Sequence, residues 1–352
     1  MARHIVVTKF VQVTAVIVLA SLQSNYNAMA QDQPVRIAIA SRTTGQSLGW
    51  IGTELGIFKQ LGLSVSFPAM GTGGPKAMEG LIRGDWDFAI TGAATIIQGT
   101  LDGQDTVILL SPSRPGAGGL FLVARGGITE PGQLAGGRIA VPTEGGSEAV
   151  MVRGMLRKWG ITATLVPGLG RDKIPAALSS REMDAGVLPA EYRLAAQRAF
   201  RLNTLADLGS EFGFQPAALA TTRRLIKSNR AVVARVVEGY VRSIHLFKTD
   251  RSAVVPVLRR YLQSFDQETT EDIHAYFAES FQKLPLPSPQ GIQNALNEYT
   301  EKYLGARSMA VTTFTDTSFL EEVERSGLLN RLYNGAKKEY LSGVMKRPGL
   351  PF

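Results

Sequence analysis

Residues 76–87 read KAMEGLIRGDWD, and residues 173–184 read KIPAALSSREMD. In both stretches a leucine follows the lysine after the same interval, and an aspartate ends the stretch. Each is preceded by Arg-Ile-Ala (36–38 and 138–140), a Gly/Ser/Thr loop and an amphipathic segment. Each copy therefore predicts the order strand, helix, strand, helix, strand, which is typical of a parallel α/β sheet. Two similar lobes with a cleft between them are the expected result.

The segments that join the two copies suggest where the chain changes lobe. Ser111–Gly119 is rich in Pro and Gly and predicts a first crossing, and Pro216–Ala220 predicts the return. Beyond the return the sequence is mainly helical, and we expect these helices to pack on the first lobe. In the first copy, residues 47–61 predict one amphipathic helix. The predicted boundaries are 1–30 (signal peptide), 31–118 (first lobe), 119–215 (second lobe), 216–334 (helical return to the first lobe) and 335–352 (tail).

The N-terminus has the pattern of a secretory signal. Arg3, His4 and Lys9 precede an apolar run over 10–22, and Ala28-Met29-Ala30 supplies small residues for cleavage after Ala30. An uncleaved membrane anchor is the alternative, but the apolar run is short for a bilayer span. The chain has no cysteine, which excludes an acyl anchor, disulfides and thiol catalysis. We therefore expect an exported periplasmic protein.

Composition narrows the class of partner. The 352 residues are 44% hydrophobic, as in a globular protein with ordinary cores. The formal net charge is +8, but the basic residues are scattered rather than arranged in a stripe with aromatic residues between them. This distribution argues against nucleic-acid binding. We expect a monomer that binds a small molecule.

Candidate binding residues lie in the loops after the predicted strands, because ligands of open α/β sheets bind beyond the carboxyl ends of the strands. These loops are rich in Gly, Ser and Thr, and each leads into a helix whose N-terminus favours an anion. The candidates are Arg42, Thr43, Gln46, Gly71, Thr72, Gly73, Gly74, Thr91, Gly92, Ala93, Ser111, Thr143, Glu144, Gly145, Gly146, Ser147 and Glu191.

Several of these residues also have an ordinary structural interpretation. Arg42 can pair with a carboxylate or sulfonate, or it can be a solvated surface arginine. The glycines of 71–74 permit close approach of a ligand, or they simply make tight turns. Ser147 can contact a ligand or cap a helix. Glu144 and Glu191 bind an amine or hydroxyl if they face the cleft, and are routine surface residues if they do not.

Enzymatic chemistry has little support in the sequence. Beyond the predicted signal peptide the only histidines are His245 and His274, both in predicted helices, and no nucleophile-elbow, zinc-protease or phosphate-loop motif occurs. We therefore predict no catalytic residues, no metal site and no cofactor.

Several segments resemble a known family. They are 49–59 (GWIGTELGIFK), 80–89 (GLIRGDWDFA), 134–141 (LAGGRIAV) and the element from Asp316 to Leu320. In order and spacing they are similar to the class II periplasmic solute-binding proteins of ABC importers. The similarity is to the nitrate/sulfonate/taurine (NitT/TauT) group, which includes the thiamine-precursor binders.

This resemblance implies a two-lobe clamshell of the type II periplasmic-binding-protein fold. Each lobe would be a mostly parallel sheet flanked by helices, with two crossing segments between the lobes. It also implies capture of a small organic solute, anionic or zwitterionic (a sulfonate, a carboxylate or a pyrimidine-like compound), and delivery to an ABC permease. Two alternatives stay open at this point: an enzyme like the thiamine-pyrimidine synthase, and the ligand-binding subunit of a membrane sensor.

Overall fold

Two five-stranded sheets form the framework of the molecule. The computed structural model describes residues 32–213 and 217–334. The predicted signal peptide with its cleavage point after Ala30, the predicted tail (335–352) and part of the return crossing (214–216) lie outside these ranges. The strands are β1 (Gln33–Ile39), β2 (Leu63–Ser66), β3 (Phe88–Thr91), β4 (Thr106–Leu110), β5 (Leu120–Arg125), β6 (Arg138–Val141), β7 (Thr164–Pro167), β8 (Ala185–Pro189), β9 (Leu202–Asp207) and β10 (Ala218–Thr222).

The two sheets have the same topology. The first has the order β2-β1-β3-β10-β4, and the second has the order β7-β6-β8-β5-β9. In each sheet one strand runs antiparallel to the rest, and it is the strand at which the chain enters from the other lobe: β10 in the first sheet and β5 in the second. The predicted fold class, two mostly parallel sheets flanked by helices, is therefore confirmed. The exact boundaries between the lobes stay a prediction.

Fifteen α-helices lie within the described ranges. They are α1 (Leu48–Glu54), α2 (Ile57–Gln60), α3 (Gly74–Arg83), α4 (Ala93–Leu101), α5 (Ser147–Trp159), α6 (Ile174–Ser179), α7 (Ala190–Ala199), α8 (Leu208–Phe212), α9 (Arg223–Ser228), α10 (Arg230–Thr249), α11 (Arg251–Leu262), α12 (Gln267–Ser280), α13 (Pro289–Glu298), α14 (Ser318–Arg325) and α15 (Leu328–Asn334). The helix expected over 47–61 is in fact two helices, α1 and α2, because Gly56 between them has a left-handed backbone (φ 73°).

The central strands are buried on both faces, as parallel strands between helical layers must be. In β1, Val35, Ile37 and Ile39 belong to one apolar cluster, whereas Ala38 belongs to a second cluster on the opposite face. This alternation follows from the two-residue period of a strand. It leaves the carboxyl end of the strand, after Ala40, as the place where the chain can reach solvent or a ligand.

The duplicated stretches have the same structural role in both lobes. Leu81 and Leu178 are buried. Asp87 accepts a hydrogen bond from the Arg36 N–H (2.8 Å), and Asp184 accepts one from the Arg138 N–H (2.9 Å). Each aspartate thus joins the third strand of its copy to the first, at the end of the sheet opposite the cleft. The aspartate that ends each repeated stretch therefore stabilises the pairing of two strands. The lysines that begin the stretches are exposed.

We expect Asp184→Ala to lower the free energy of unfolding by about 1–3 kcal/mol, because the Arg138 N–H and the half-buried Arg125 guanidinium both lose their acceptor. The Arg138 N–H and the Arg125 guanidinium hold the pKa of Asp184 below its usual value. A lowered pKa stabilises the fold above the ordinary aspartate pKa of about 3.9, and the effect is lost as the pH falls through the lowered value. Urea denaturation at pH 7 and pH 3 measures this, with exposed Glu182→Ala as the control. An equal loss at both pH values would contradict the account.

The C-terminal helices contact both lobes, which is more than the sequence suggested. Helix α10 packs on α1 and α2 of the first lobe, as expected. Helix α12, however, also packs against α7 of the second lobe, and α13 lies against both α4 and α5. These helices therefore bridge the two lobes. Within residues 32–213 and 217–334, no helix is both long enough and apolar enough to cross a membrane.

Candidate functional site

The carboxyl ends of strands from both sheets meet at a chamber of about 210 Å³ between the lobes. Its walls are loops and helix starts from both lobes, and they are mostly polar. The lining residues are Ala40, Ser41, Gln46, Gly71, Thr72, Gly73, Gly74, Thr91, Gly92 and Thr95 from the first lobe, and Pro142, Thr143, Gly146, Ser147, Glu148, Gly168, Leu169, Gly170 and Arg171 from the second. We call this space the large chamber.

A second, smaller space of about 30 Å³ adjoins it, and we call it the small chamber. It shares Ser41, Gln46, Glu148 and Arg171 with the large chamber. The remaining lining residues are Thr43, Gly45, Gly118, Gly119, Leu120, Pro189, Glu191, Ala217 and Phe277. A volume of this size accommodates one or two water-sized groups.

The two lobes touch each other next to these chambers. The Thr44 N–H of the first lobe donates to Glu191 Oε1 of the second (3.1 Å). The hydroxyl oxygens of Thr95 and Ser147 lie 3.3 Å apart across the same gap, and the Thr95 N–H also reaches Ser147 Oγ (3.4 Å). At the chamber walls the lobes therefore meet through polar contacts, which water can replace when the lobes separate.

Three helices begin at the wall of the large chamber: α3 at Gly74, α4 just after Gly92, and α5 at Ser147. The first-turn N–H groups of a helix have no partner within the helix, and the helix dipole makes this end partly positive. The chamber thus offers N–H donors and positive potential without requiring a free cationic side chain. This arrangement suits an acidic group.

Two glycines at this wall are required by close approach. Gly73 has φ 83°, and a Cβ there would lie 3.1 Å from Thr143 of the opposite lobe. A Cβ at Gly74 would lie 2.8 Å from Thr91 Oγ1, inside the chamber. Both glycines are therefore needed for the close approach of neighbouring side chains, and close approach of a ligand to them stays a prediction.

The charged residues that line the chambers are few, and most of their surface is buried. Glu148 and Arg171 form an ion pair at 2.5 Å, with side-chain exposures of 16% and 18%. Glu191 is completely buried, and burial raises its pKa to about 7. Within the described ranges, four buried polar atoms in or next to the chambers have no hydrogen-bond partner: Thr44 Oγ1, Thr72 Oγ1, Arg171 Nε and Glu191 Oε2. Buried polar groups are usually bonded, so these four atoms are available to water or to a solute in the chambers.

Most of the predicted site residues line one of the chambers. In the large chamber they are Gln46, Gly71, Thr72, Gly73, Gly74, Thr91, Gly92, Thr143, Gly146 and Ser147, and in the small chamber they are Thr43, Gln46 and Glu191. The structure brings these residues of distant sequence together. That they contact a ligand stays a prediction.

Five predicted residues, Arg42, Ala93, Ser111, Glu144 and Gly145, line neither chamber. Arg42 and Glu144 are exposed, and the Arg42 guanidinium lies 4.0 Å from the Met70 sulfur. Ala93 is buried in the core of α4, where its side chain is apolar packing. The Ser111 N–H donates to the Pro285 carbonyl, which ties the first crossing to the C-terminal region. A Cβ at Gly145 would lie 3.6 Å from Pro75, at the contact between the lobes.

Sequence reasoning missed the charged pair, Glu148 and Arg171. Ser41, Thr95 and the glycines 168 and 170 belong to the loops that were expected to approach a ligand. Glu148 and Arg171, by contrast, each lie one position beyond such a loop. A charged side chain in or just before the first turn of a helix that follows a Gly-rich loop was the available signal. Among the described residues, no group of three potential metal-ligating side chains comes together.

Comparison with known proteins identifies the family of the chain. Residues 49–250, more than half of the chain, match the family model described as NMT1/THI5 like. The chain belongs to the NMT1/THI5-like family. Among curated proteins, none matches the chain.

Solved structures share the fold of this NMT1/THI5-like chain. A protein from Bordetella bronchiseptica RB50 is 19% identical with a TM-score of 0.69, and the match covers 84% of this chain and 98% of that one. The periplasmic aliphatic sulphonate binding protein SsuA from Escherichia coli is 18% identical with a TM-score of 0.63, covering 81% and 92%. The alkanesulfonate-binding protein SsuA from Xanthomonas axonopodis pv. citri, bound to MOPS, is 18% identical with a TM-score of 0.62, covering 79% and 94%. The predicted resemblance to periplasmic solute-binding proteins of the NitT/TauT group is confirmed.

Proposed function

We propose that this chain is the periplasmic solute-binding protein of an ABC importer, and that it captures a small polar solute carrying an acidic group. The observation that carries the proposal is the large chamber between the lobes, with unsatisfied buried polar atoms on both walls. Thr72 Oγ1 belongs to the first lobe and Arg171 Nε to the second. A solute that bonds both atoms stabilises the closed arrangement of the lobes.

The energetics of closure follow from this geometry. The C-terminal helices contact both lobes. At the chamber walls, however, the contacts between the lobes are a few hydrogen bonds, and such bonds contribute only about 0.5–1.5 kcal/mol each in net terms. They are too weak to decide the equilibrium alone, so a solute that contacts both lobes shifts the population toward the closed form. Hinge closure around a ligand is the usual transition of periplasmic binding proteins. A permease could then distinguish the loaded from the empty protein by its shape.

Delivery to a permease, export to the periplasm and a monomeric state belong to the same proposal. The two SsuA proteins are described as sulphonate- and alkanesulfonate-binding, and they support a sulfonate or a similar acid as the first class of solute to test. An enzyme is a weaker candidate. His245 and His274 line neither chamber, and His274 Nε2 is bonded to the Phe247 carbonyl.

A ligand screen by thermal unfolding tests the proposal. Sulfonates, carboxylates and aminopyrimidines are the probes. Scattering in solution measures whether the protein becomes more compact when a probe binds. A solute at 100-fold excess over its Kd adds about 2.7 kcal/mol, so we expect a rise in Tm of roughly 5–10 °C. The proposal fails if no probe raises Tm, or if incubation returns a chemically converted product.

We expect Gly74→Ala to weaken binding of the solute found in this screen by about 10-fold or more. The added methyl group would press on the hydroxyls of Thr91 and Thr95 (2.8 and 3.0 Å from its position), which line the chamber, and move them against the solute's polar group. Gly99→Ala is the matched control, because it is also a helical glycine-to-alanine change and its Cβ meets only ordinary contacts, at 3.5 and 3.6 Å. Calorimetry measures the affinity of both variants for this solute. Equal affinities would remove the start of α3 from the site.

A further inference from the structure

The charge balance of the chambers points to the kind of solute that fits them. Among the described residues that line either chamber, the charged ones are Glu148, Arg171 and Glu191. Arg171 is therefore the single cationic side chain facing the site, and Glu148 already pairs with it. Arg42, which the sequence offered as an anion partner, is exposed and lies outside both chambers. A plain anion would find no uncompensated cation here.

The two ends of the site have opposite chemical character. At the large chamber, the starts of α3, α4 and α5 present N–H donors and positive potential, and the Arg171 Nε–H has no acceptor. At the small chamber, Glu191 Oε2 has no hydrogen-bond partner, on a side chain that is completely buried. At pH 7.5, above its raised pKa of about 7, this carboxyl is mostly ionised and Oε2 is an acceptor. An unpaired buried acceptor is costly, so this atom calls for a donor from the solute.

We propose that the site accepts a small zwitterion, with its acidic group at the helix starts and Arg171, and its protonated nitrogen toward Glu148 and Glu191. Glu148 is then the residue that determines specificity: its negative charge offsets Arg171, so a monoanion is attracted by the helix starts but not by an uncompensated cation. The volume of the small chamber, about 30 Å³, suits a single ammonium group. This inference rests on the proposed solute-binding function and specifies its substrate class.

The experiment uses pairs of probes that differ only in the ammonium group: taurine with ethanesulfonate, and β-alanine with propionate. Calorimetry at pH 7.5 on the full mature chain gives the affinity ratio within each pair. We expect the wild type to bind the ammonium member at least 10-fold more tightly in at least one pair. Glu148→Gln should reduce that ratio below 3-fold and tighten binding of the plain anion, because Arg171 is then uncompensated.

Further variants separate charge from folding. Glu148→Asp keeps the charge and should keep the preference. Arg171→Gln should weaken both members of the pair by 10-fold or more, since the acidic group is common to them. Asp172→Asn is the matched control: it removes one negative charge next to Arg171, but Asp172 is exposed and lines neither chamber.

The inference is overturned if the wild type binds the plain anions as tightly as the zwitterions, if Glu148→Gln leaves the ratio unchanged, or if none of the four probes binds. In the last case, the separate screen distinguishes the two proposals. A Tm rise with an aminopyrimidine would retain solute binding and reject the zwitterion. No rise with any probe would reject both.

Discussion

Glu191→Gln should abolish most of the fall in stability that the ligand-free protein shows between pH 5 and pH 8.5. Glu191 is completely buried where the lobes meet, and burial raises its pKa to about 7. In the unfolded chain a glutamate titrates near 4.3. The native protein therefore binds a proton that the unfolded chain has released. Its stability is highest below the ordinary pKa and falls as the pH rises through about 7.

The fall in the free energy of unfolding is on the order of 3 kcal/mol between pH 5 and pH 8.5, because each pKa unit corresponds to about 1.36 kcal/mol. Glutamine keeps an oxygen for the Thr44 N–H but cannot ionise, so Glu191→Gln should equal the wild type near pH 5 and exceed it near pH 8.5. Glu191→Ala should be less stable than Glu191→Gln at every pH, because the Thr44 N–H loses its acceptor.

Thermal and urea unfolding measure the free energy of unfolding over this pH range. The difference between the wild type and the variant cancels the contributions of other titrating groups. Glu301→Gln, an exposed glutamate, provides the control and should follow the wild type at every pH. Parallel curves for the wild type and Glu191→Gln would show that Glu191 does not titrate in this range. The idea of a buried, proton-binding carboxylate between the lobes would then be wrong.

Phe58→Ala should lower the free energy of unfolding by about 3–5 kcal/mol, the usual loss for a large buried ring. Phe58 on α2 is 1% exposed, and its ring lies between two glycines. A Cβ at Gly52 of α1 would lie 2.8 Å from the ring, and a Cβ at Gly239 of α10 only 2.2 Å from it. The ring fills the space that the two glycines leave free. Because Gly239 has no side chain, α10 can pack closely against this ring.

Gly239→Ala alone should also destabilise, by about 1–3 kcal/mol, because the added methyl group overfills this contact. With Phe58→Ala present, the same change should become neutral or stabilising by up to about 1 kcal/mol, because alanine is the better helix former and the space is free. Urea denaturation of the two single variants and the double variant measures this change of sign. Additive losses would contradict direct contact between the ring and α10.

Local patterns in the sequence predicted the lobes because both are duplicated units with the same spacing. The stretches 76–87 and 173–184 indicated the repeat, and the structure shows why the spacing is kept: Leu81 and Leu178 enter the core, while Asp87 and Asp184 each bond to a neighbouring strand. The break between α1 and α2 was missed, although Gly56 was visible, because apolar periodicity continues across it. Periodicity reports which side faces the core and not whether the backbone is continuous.

The loops of the candidate site were predictable in kind but not in detail. Glycine-rich turns after strands indicated the starts of α3, α4 and α5, and these do converge on one chamber. Arg42 and Arg171 both lie near such loops in sequence, yet one is exposed and the other lines both chambers. The difference depends on the direction of each side chain relative to the opposite lobe, which no local pattern encodes.

The sequence by itself determined the α/β class, the duplicated lobes and the glycine-rich strand ends, because these depend on residue periodicity and backbone freedom within short segments. Tertiary structure alone decided that Glu148 neutralises Arg171, that Glu191 is sealed between the lobes with one oxygen unbonded, and that α12 and α13 bridge the two lobes. Charge compensation and burial are relations between residues far apart in the chain, so they exist only once the two lobes are packed together.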